Sequence, residues 1–439
     1  MKPPLFIFRV AVLVLLTGMI PALAEADDNT HLGVASCATG VCHGKLNAEE
    51  SGNVWLNEYR IWSADDRHAR AYQTLLTQES RLIATKLGLP NAQGAKICLD
   101  CHADNVPQSR RGPKFQLSDG VGCEACHGGA ELWIETHTER NATHADNVRQ
   151  GMQATEDVDV RAGVCLSCHL GAEDRFASHQ IMGAGHPRLS FELEAYSANQ
   201  PAHFEVDADY EARKAPSGKV RGYAAWRAGQ VQSARRFLDL INSDLYTNTD
   251  TNTDTNTPTD FSFYDCHGCH HPMDDVRWSE LRRQQGLKPG LPRLQDQHLL
   301  MLRAVANALA PAAAPQLKTL QETMLRAGQH SVSATKSAAA ELAAWLDGQS
   351  WLTGNANRDP LKDARSVRKA IAALGVSGTL ADYAAAEQAF LGIESLSLFL
   401  GDSERLQSSL DAMYDAVESD QDYRPEKFRQ AIRALAAQL

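Results

Sequence analysis

The chain has 439 residues, and its 54 acidic residues outnumber its 43 basic residues to give a formal net charge of −11. An acidic surface repels phosphate backbones, so the composition argues against nucleic acid as a partner. It suits a protein partner that presents a basic docking face.

The N-terminus has the pattern of a secretory signal peptide over residues 1–24. Lys2 and Arg9 flank its start, residues 11–20 are apolar, and Ala22-Leu23-Ala24 is an A-x-A cleavage site. The apolar run is too short to cross a bilayer, although an uncleaved N-terminal anchor is the alternative reading. No later segment reaches about 18 consecutive apolar residues, so we expect no membrane span in the mature chain.

All ten cysteines occur in five pairs, and a histidine directly follows each pair. CxxCH is the attachment motif of c-type haem, in which both thiols bind the haem covalently and the histidine is the proximal iron ligand. Four pairs have this spacing, whereas the first is a stretched CX4CH motif, CATGVCH. We therefore predict five covalent haem c groups. The motifs are Cys37/Cys42-His43, Cys98/Cys101-His102, Cys123/Cys126-His127, Cys165/Cys168-His169 and Cys266/Cys269-His270.

Other uses of paired cysteines fit less well. Zinc sites combine two pairs per metal ion and need no histidine after each pair, and five is an odd number for that arrangement. A disulfide framework is conceivable in an exported chain. At Cys37 and Cys42 the alternatives to haem are a local disulfide or a pair of free thiols.

The second axial ligand of each iron decides between electron transfer and catalysis. A histidine or methionine there closes the iron, whereas an open position admits a substrate. Eleven histidines remain after the five motif histidines are assigned. We predict distal ligands among His68, His137, His179, His186 and His271, and Arg188 is a candidate partner for a haem propionate.

The sequence contexts of these candidate distal ligands differ. His68 lies in a segment that looks helical, and His179 and His186 bracket the glycine-rich loop HQIMGAGHPR. His271 directly follows the proximal ligand His270, so it could serve only a neighbouring haem.

Three regions are predicted. Residues 25–290 would form a pentahaem cytochrome c domain of short helices and loops around the haems, with a flexible polar insertion at residues 247–260. Residues 291–439 lack cysteine and show helical periodicity, which predicts a haem-free helical module that either supports the haem domain or docks a partner. The fold class is therefore mainly α.

The chain resembles the multihaem cytochromes c of the cytochrome c-554 family over about residues 31–290. The resemblance rests on GVASCATGVCHG, IWSADDRHARAY, GVGCEACHGGAELW, IMGAGHPRLSFEL and DCHGCHHPM. It implies a mostly helical fold, closely stacked and largely bis-histidine haems, and electron transfer in the periplasm. The family's distal ligands lie in segments matching His68, His137, His179 and His186. The chain departs from the family in its fifth motif and in its C-terminal module. The redox partner of the family's tetrahaem member therefore cannot simply be assigned to this chain.

These observations favour an electron carrier that connects two redox partner proteins and has no catalytic residue of its own. The alternative is a multihaem reductase of a small nitrogen or sulfur compound with one open iron. Such enzymes often mark the catalytic haem with CxxCK, a motif that does not occur here. A third reading is a subunit of a quinol-oxidising complex, which would need a separate membrane-bound partner.

Overall fold

A computed structural model describes residues 29–46, 56–203, 222–247, 260–271, 283, 285–353 and 358–439 of the chain. The proposed signal peptide and nearly all of the polar insertion lie outside these residues. Within them the protein is mainly helical and contains isolated β-bridges but no β-strand. The predicted mainly α fold is thus confirmed. No described helix is long and apolar enough to cross a membrane.

Short helices make up the part of the chain that carries the cysteine motifs. Helices of four to twelve residues are marginal on their own, so their stability must come from tertiary packing. The helices are α1 (Glu58–Asp65), α2 (Ala71–Thr74), α3 (Gln78–Lys86), α4 (Lys96–His102), α5 (Cys123–His127), α6 (His144–Arg149), α7 (Val158–His169), α8 (His179–Ala184) and α9 (Leu193–Asn199).

Mostly longer helices follow, together with the four-residue helix α14, and they enclose most of the apolar core. They are α10 (Tyr223–Asn242), α11 (Gln297–Leu309), α12 (Ala314–Ala327), α13 (Val332–Asp347), α14 (Ser350–Thr353), α15 (Pro360–Val376), α16 (Tyr383–Leu400), α17 (Ser403–Val417) and α18 (Pro425–Ala436). Two large clusters of buried side chains lie among them. Pro at the start of α15 and α18 suits the first helical turn, where its missing N–H has no partner to lose.

Helix α10 joins the two parts of the molecule. It packs against α7 and α9 on the haem-motif side and against α11, α13 and α16 on the C-terminal side. Trp226 of α10 is fully buried. Its ring lies so close to α16 that a Cβ on Gly392 would come within 2.8 Å of the indole Nε1. The C-terminal helices therefore pack directly onto the region that carries the motifs.

Candidate haem-binding site

Three of the five motifs occupy helix ends. Helices α4, α5 and α7 end at His102, His127 and His169, so each histidine follows its two cysteines on one short helical segment. The fifth motif begins in a 3-10 helix, Cys266–Gly268, and Asp265 caps that helix by accepting the His267 N–H.

The first motif follows another 3-10 helix, Val34–Ser36, and folds into a turn. The His43 N–H donates to the Cys37 carbonyl at 3.1 Å, and the Cys42 N–H donates to the Thr39 carbonyl at 3.0 Å. The stretched CX4CH spacing is therefore closed by hydrogen bonds within the motif itself.

Thiols from different motifs meet in pairs, and all ten cysteines are free thiols in the structure. The Cys37 thiol of the first motif lies close enough to the Cys123 thiol of the third for the two to interact, which lowers the pKa of Cys37 and raises that of Cys123. The thiols of Cys101 in the second motif and Cys168 in the fourth interact in the same way, which lowers the pKa of Cys168 to about 6. Motifs one and three, and motifs two and four, are therefore neighbours.

Each motif histidine faces a second histidine across a nearly constant gap. The ring centroids are 6.2 to 6.3 Å apart in all five cases, although the angles between ring planes vary from 12° to 89°. The pairs are His43–His137, His102–His186, His127–His203, His169–His68 and His270–His179.

This gap fits one metal ion between two imidazoles. Histidine nitrogens bind metals at about 2 Å, so two rings that share one ion on opposite sides have centroids about 6 Å apart. Direct contact between the rings would bring them closer, as in the 4.9 Å separation of His169 and Phe191. The residues present therefore fit a haem iron at each of the five motifs, and a haem would supply one-electron redox chemistry there.

Four of the predicted distal histidines, His68, His137, His179 and His186, each belong to one of these pairs. The fifth position, opposite His127, is occupied by His203 rather than by His271. His203 lies just beyond the end of α9 and has no cysteine or glycine-rich motif beside it. In the sequence, His203 is simply a histidine outside the five motifs, two residues after Pro201.

Oxygen atoms orient several of the paired rings through Nδ1. A metal-binding histidine commonly donates its other N–H to a carboxylate or carbonyl, which fixes the ring and leaves Nε2 for the metal. Such bonds run from His43 to Glu58 Oε2 (2.9 Å), His68 to Asp66 Oδ1 (2.9 Å), His102 to the Ala71 carbonyl (3.1 Å), His137 to the Trp133 carbonyl (3.2 Å) and His186 to the Pro187 carbonyl (2.8 Å).

The two carboxylate partners differ in their electrostatics. The bond from Glu58 raises the pKa of His43. Burial opposes ionisation of Asp66, yet its hydrogen bonds with His68 and Gln200 lower its pKa to about 2. Asp66 is therefore a carboxylate at neutral pH and favours a hydrogen on His68 Nδ1.

Other histidines have hydrogen-bonding roles elsewhere. His31 Nδ1 donates to Asp104 Oδ2 at 2.7 Å, and His144 bonds to Glu156. His298 is buried and donates to Gln230 Oε1 at 2.8 Å, and burial lowers its pKa to about 3.

Arg188, the candidate propionate partner, binds a carboxylate of the C-terminal helices. Its Nη2 donates to Glu387 Oε2 at 2.8 Å, and its guanidinium lies 5.0 Å from the Tyr383 ring centroid. Ser190 also donates to Glu387, at 2.7 Å. This ion pair connects the segment after His186 to α16.

A known family matches part of the chain. The family model described as cytochrome c554 and c-prime matches residues 30–128, which is less than a quarter of the chain and contains the first three motifs. No curated protein and no solved structure matches the chain. The family match agrees with the resemblance drawn from the motifs, and such cytochromes carry haem and transfer electrons. Residues 30–128 of this chain, which contain its first three motifs, are therefore similar to the cytochrome c554 family of multihaem cytochromes.

Proposed function

We propose that the protein is a periplasmic pentahaem cytochrome that carries electrons between redox partners through bis-histidine haems. The observation that carries the proposal is the set of five histidine pairs, each with a ring separation of 6.2 to 6.3 Å. An iron with both axial positions filled by imidazole has no site for a substrate, and such an iron favours outer-sphere electron transfer.

The close approach of the motifs supports transfer along the chain. Thiols of motifs one and three lie close enough to shift each other's pKa, as do thiols of motifs two and four. Since each haem would be attached through these sulfur atoms, the attachment edges of neighbouring haems would lie close together. The protein's contribution is then to fix the irons and tune their potentials.

The first motif is counted as a haem site for two reasons. Its turn brings His43 back to the Cys37 carbonyl, and the His43 ring faces His137 at 6.3 Å with ring planes 12° apart. A local disulfide between Cys37 and Cys42 would not account for the position of His137 opposite His43.

The proposed location rests on two sequence features. Residues 1–24 have the pattern of a cleavable export signal. In addition, covalent c-type haem is assembled outside the cytoplasm, which agrees with export of a chain carrying five attachment motifs.

Two measurements test the proposal. A pyridine haemochrome assay on the purified mature protein should give five haems per chain. Carbon monoxide should bind very little of the fully reduced protein, because no iron has an open position. A stoichiometric complex at one haem would instead support a reductase with one open iron.

A further inference from the structure

The fifth motif is the most exposed of the five. His179 and His270 are exposed, whereas the other eight histidines of the ring pairs are half-buried. Cys269 is likewise the one exposed cysteine among the ten. Beside them Phe261, with 53% of its surface exposed, places its ring 5.6 Å from the His179 ring. An exposed aromatic side chain thus adjoins the most accessible histidine pair.

The inner side of the same motif is held by the C-terminal helices. His267, inside the CHGCH motif, is buried between the rings of Tyr383 at 5.1 Å and Tyr423 at 5.8 Å. Its Nε2 donates to the backbone carbonyl of Asp420 in the loop between α17 and α18. The haem-free helices therefore fix the inner side of this motif, while Cys269 and His270 remain on the outside.

Each tyrosine is itself anchored to the C-terminal helices. The Tyr383 hydroxyl donates to the Val417 carbonyl at 3.0 Å, and the Tyr423 hydroxyl donates to the Ala381 carbonyl at 2.8 Å. A surface held in this way loses little conformational entropy when a partner binds.

Three aspartates, Asp260, Asp265 and Asp420, lie near the fifth motif. Asp260 accepts the backbone N–H of His179 at 2.9 Å, and Asp265 caps the motif's 3-10 helix. Burial raises the pKa of the Cys266 thiol, the charge of Arg188 lowers it, and the charges of Asp265 and Asp420 raise it.

Two arginines lie among these carboxylates and form ion pairs. Arg188 pairs with Glu387, and Arg293 pairs with both Asp296 and Asp382 and also feels the charge of Asp265. Among these described residues, the six carboxylates Asp260, Asp265, Asp296, Asp382, Glu387 and Asp420 outnumber the two arginines, in a chain that is acidic as a whole.

We propose that the outer face of the fifth motif, formed by Phe261, Cys269, His270 and His179, is the port at which the protein exchanges electrons with a redox protein that has a positively charged rim. The inference rests on the proposed carrier function and adds the site of exchange and the chemistry of the partner. An apolar centre within a charged surround is the usual anatomy of a transient docking surface, and complementary charge accelerates encounter. The haem-free helices then have a function, which is to hold this port in place.

A charge-reversal pair tests the port. Asp420→Lys changes charge beside the fifth motif, and the contact with His267 is kept because it uses the Asp420 backbone carbonyl. Glu341→Lys makes the same change on an exposed position of α13 and serves as the control.

The reduced protein is mixed in stopped flow with tris(phenanthroline)cobalt(III), a cation, and separately with ferricyanide, an anion. In each reaction one ferrous haem gives one electron to the metal complex and becomes ferric, and no proton or atom is transferred.

At low ionic strength Asp420→Lys should slow oxidation by the cobalt cation several-fold and accelerate oxidation by ferricyanide. Both effects should disappear at high salt, since exposed charges are screened over about 10 Å at 0.1 M. Glu341→Lys should change neither rate. Equal responses of the two variants, or no response of Asp420→Lys, would overturn the port. A wild-type protein that neither reagent oxidises would contradict the carrier function instead.

A binding measurement gives a second readout that involves no electron transfer. Protein labelled with 4-fluorophenylalanine is titrated with hexaamminechromium(III), a redox-inert paramagnetic cation, and the Phe261 resonance is assigned from its absence in Phe261→Leu. Selective broadening of that resonance, reduced in Asp420→Lys but not in Glu341→Lys, is the expected result. Uniform broadening of all phenylalanine resonances would count against an acidic port at this face.

Discussion

His203 lies opposite His127, with ring centroids 6.3 Å apart and ring planes at 88° to each other. Replacement of His203 by Ala should therefore open one iron, that of the third motif. We expect one haem to become high-spin and to bind carbon monoxide after reduction, while the haem count stays the same. His271→Ala is the matched control and should leave the spectrum unchanged. The opposite outcome for the two variants would assign the ligand to His271.

The angle between paired rings predicts distinct magnetic signatures. His43 and His137 have ring planes 12° apart, whereas three of the other pairs lie between 87° and 89°. Ferric bis-histidine haems with near-parallel imidazoles give rhombic low-spin EPR spectra, and those with perpendicular imidazoles give signals with a large maximal g value. The His270–His179 pair, at 42°, lies between these two classes. We expect the His43–His137 pair to give the most rhombic component, which His137→Ala should remove. A rhombic signal that survives this substitution would show that it comes from another haem.

Asp66 should tune the haem of the fourth motif through His68. Its carboxylate accepts from His68 Nδ1 at 2.9 Å, which increases the electron donation of the ring to a metal and favours the ferric state. Asp66→Asn should therefore raise the midpoint potential of one haem, as measured by spectroelectrochemical titration. Asp65→Asn changes the charge of the exposed neighbouring residue and should have a much smaller effect. Equal shifts in both variants would indicate a general charge effect.

Glu192 should make stability depend on pH. Burial raises its pKa to about 7 against hydrogen bonds from the Glu194 and Ala195 N–H groups and from Ser395. Because the folded-state pKa is above the unfolded value, ionisation favours the unfolded chain, so the free energy of unfolding should fall as pH rises from about 4.5 to 7.

The loss from Glu192 is at most about 3 kcal/mol, since one pKa unit corresponds to about 1.4 kcal/mol. Denaturant unfolding at pH 5 and pH 7 measures it. Glu192→Gln should show a smaller difference between the two pH values than the wild type, and an unchanged difference would assign the pH dependence to other groups.

The packing of α10 against α16 leaves no room for a side-chain atom at Gly392. An alanine at Gly392 would place its Cβ within 2.8 Å of Trp226 Nε1, so Gly392→Ala should lower the free energy of unfolding by about 1–3 kcal/mol. Gly348→Ala at the end of α13 meets only an ordinary 3.5 Å contact and should be neutral or slightly stabilising. Thermal unfolding of both variants checks this comparison, and equal melting temperatures would contradict it.

Sequence patterns predicted the long helices well because their apolar stripes persist over several turns. The helical periodicity of residues 291–439 corresponds to helices such as α17, Ser403–Val417, and α18, Pro425–Ala436. The short helices around the motifs have no such stripe, since their stability comes from tertiary packing. Their bounds could not be read from periodicity.

The motif histidines follow from local spacing, whereas their partners are set by long-range contacts. His186 belongs to the glycine-rich segment HQIMGAGHPR, which marked it as a candidate ligand. No such local motif surrounds His203. His271 is conspicuous in sequence because it adjoins His270, yet His203 is the ring that faces His127. Only the tertiary fold determines which distant histidine faces a given motif.

The approach of thiols from different motifs has a consequence for the proposed haem attachment. Cys37 and Cys123, and Cys101 and Cys168, belong to different attachment sites, yet each pair is close enough for the two thiols to shift each other's pKa. If the chain is exported to an oxidising compartment as proposed, a disulfide formed by either pair would block two attachment sites at once. Under that proposal, attachment of haem before final folding would avoid these cross-links.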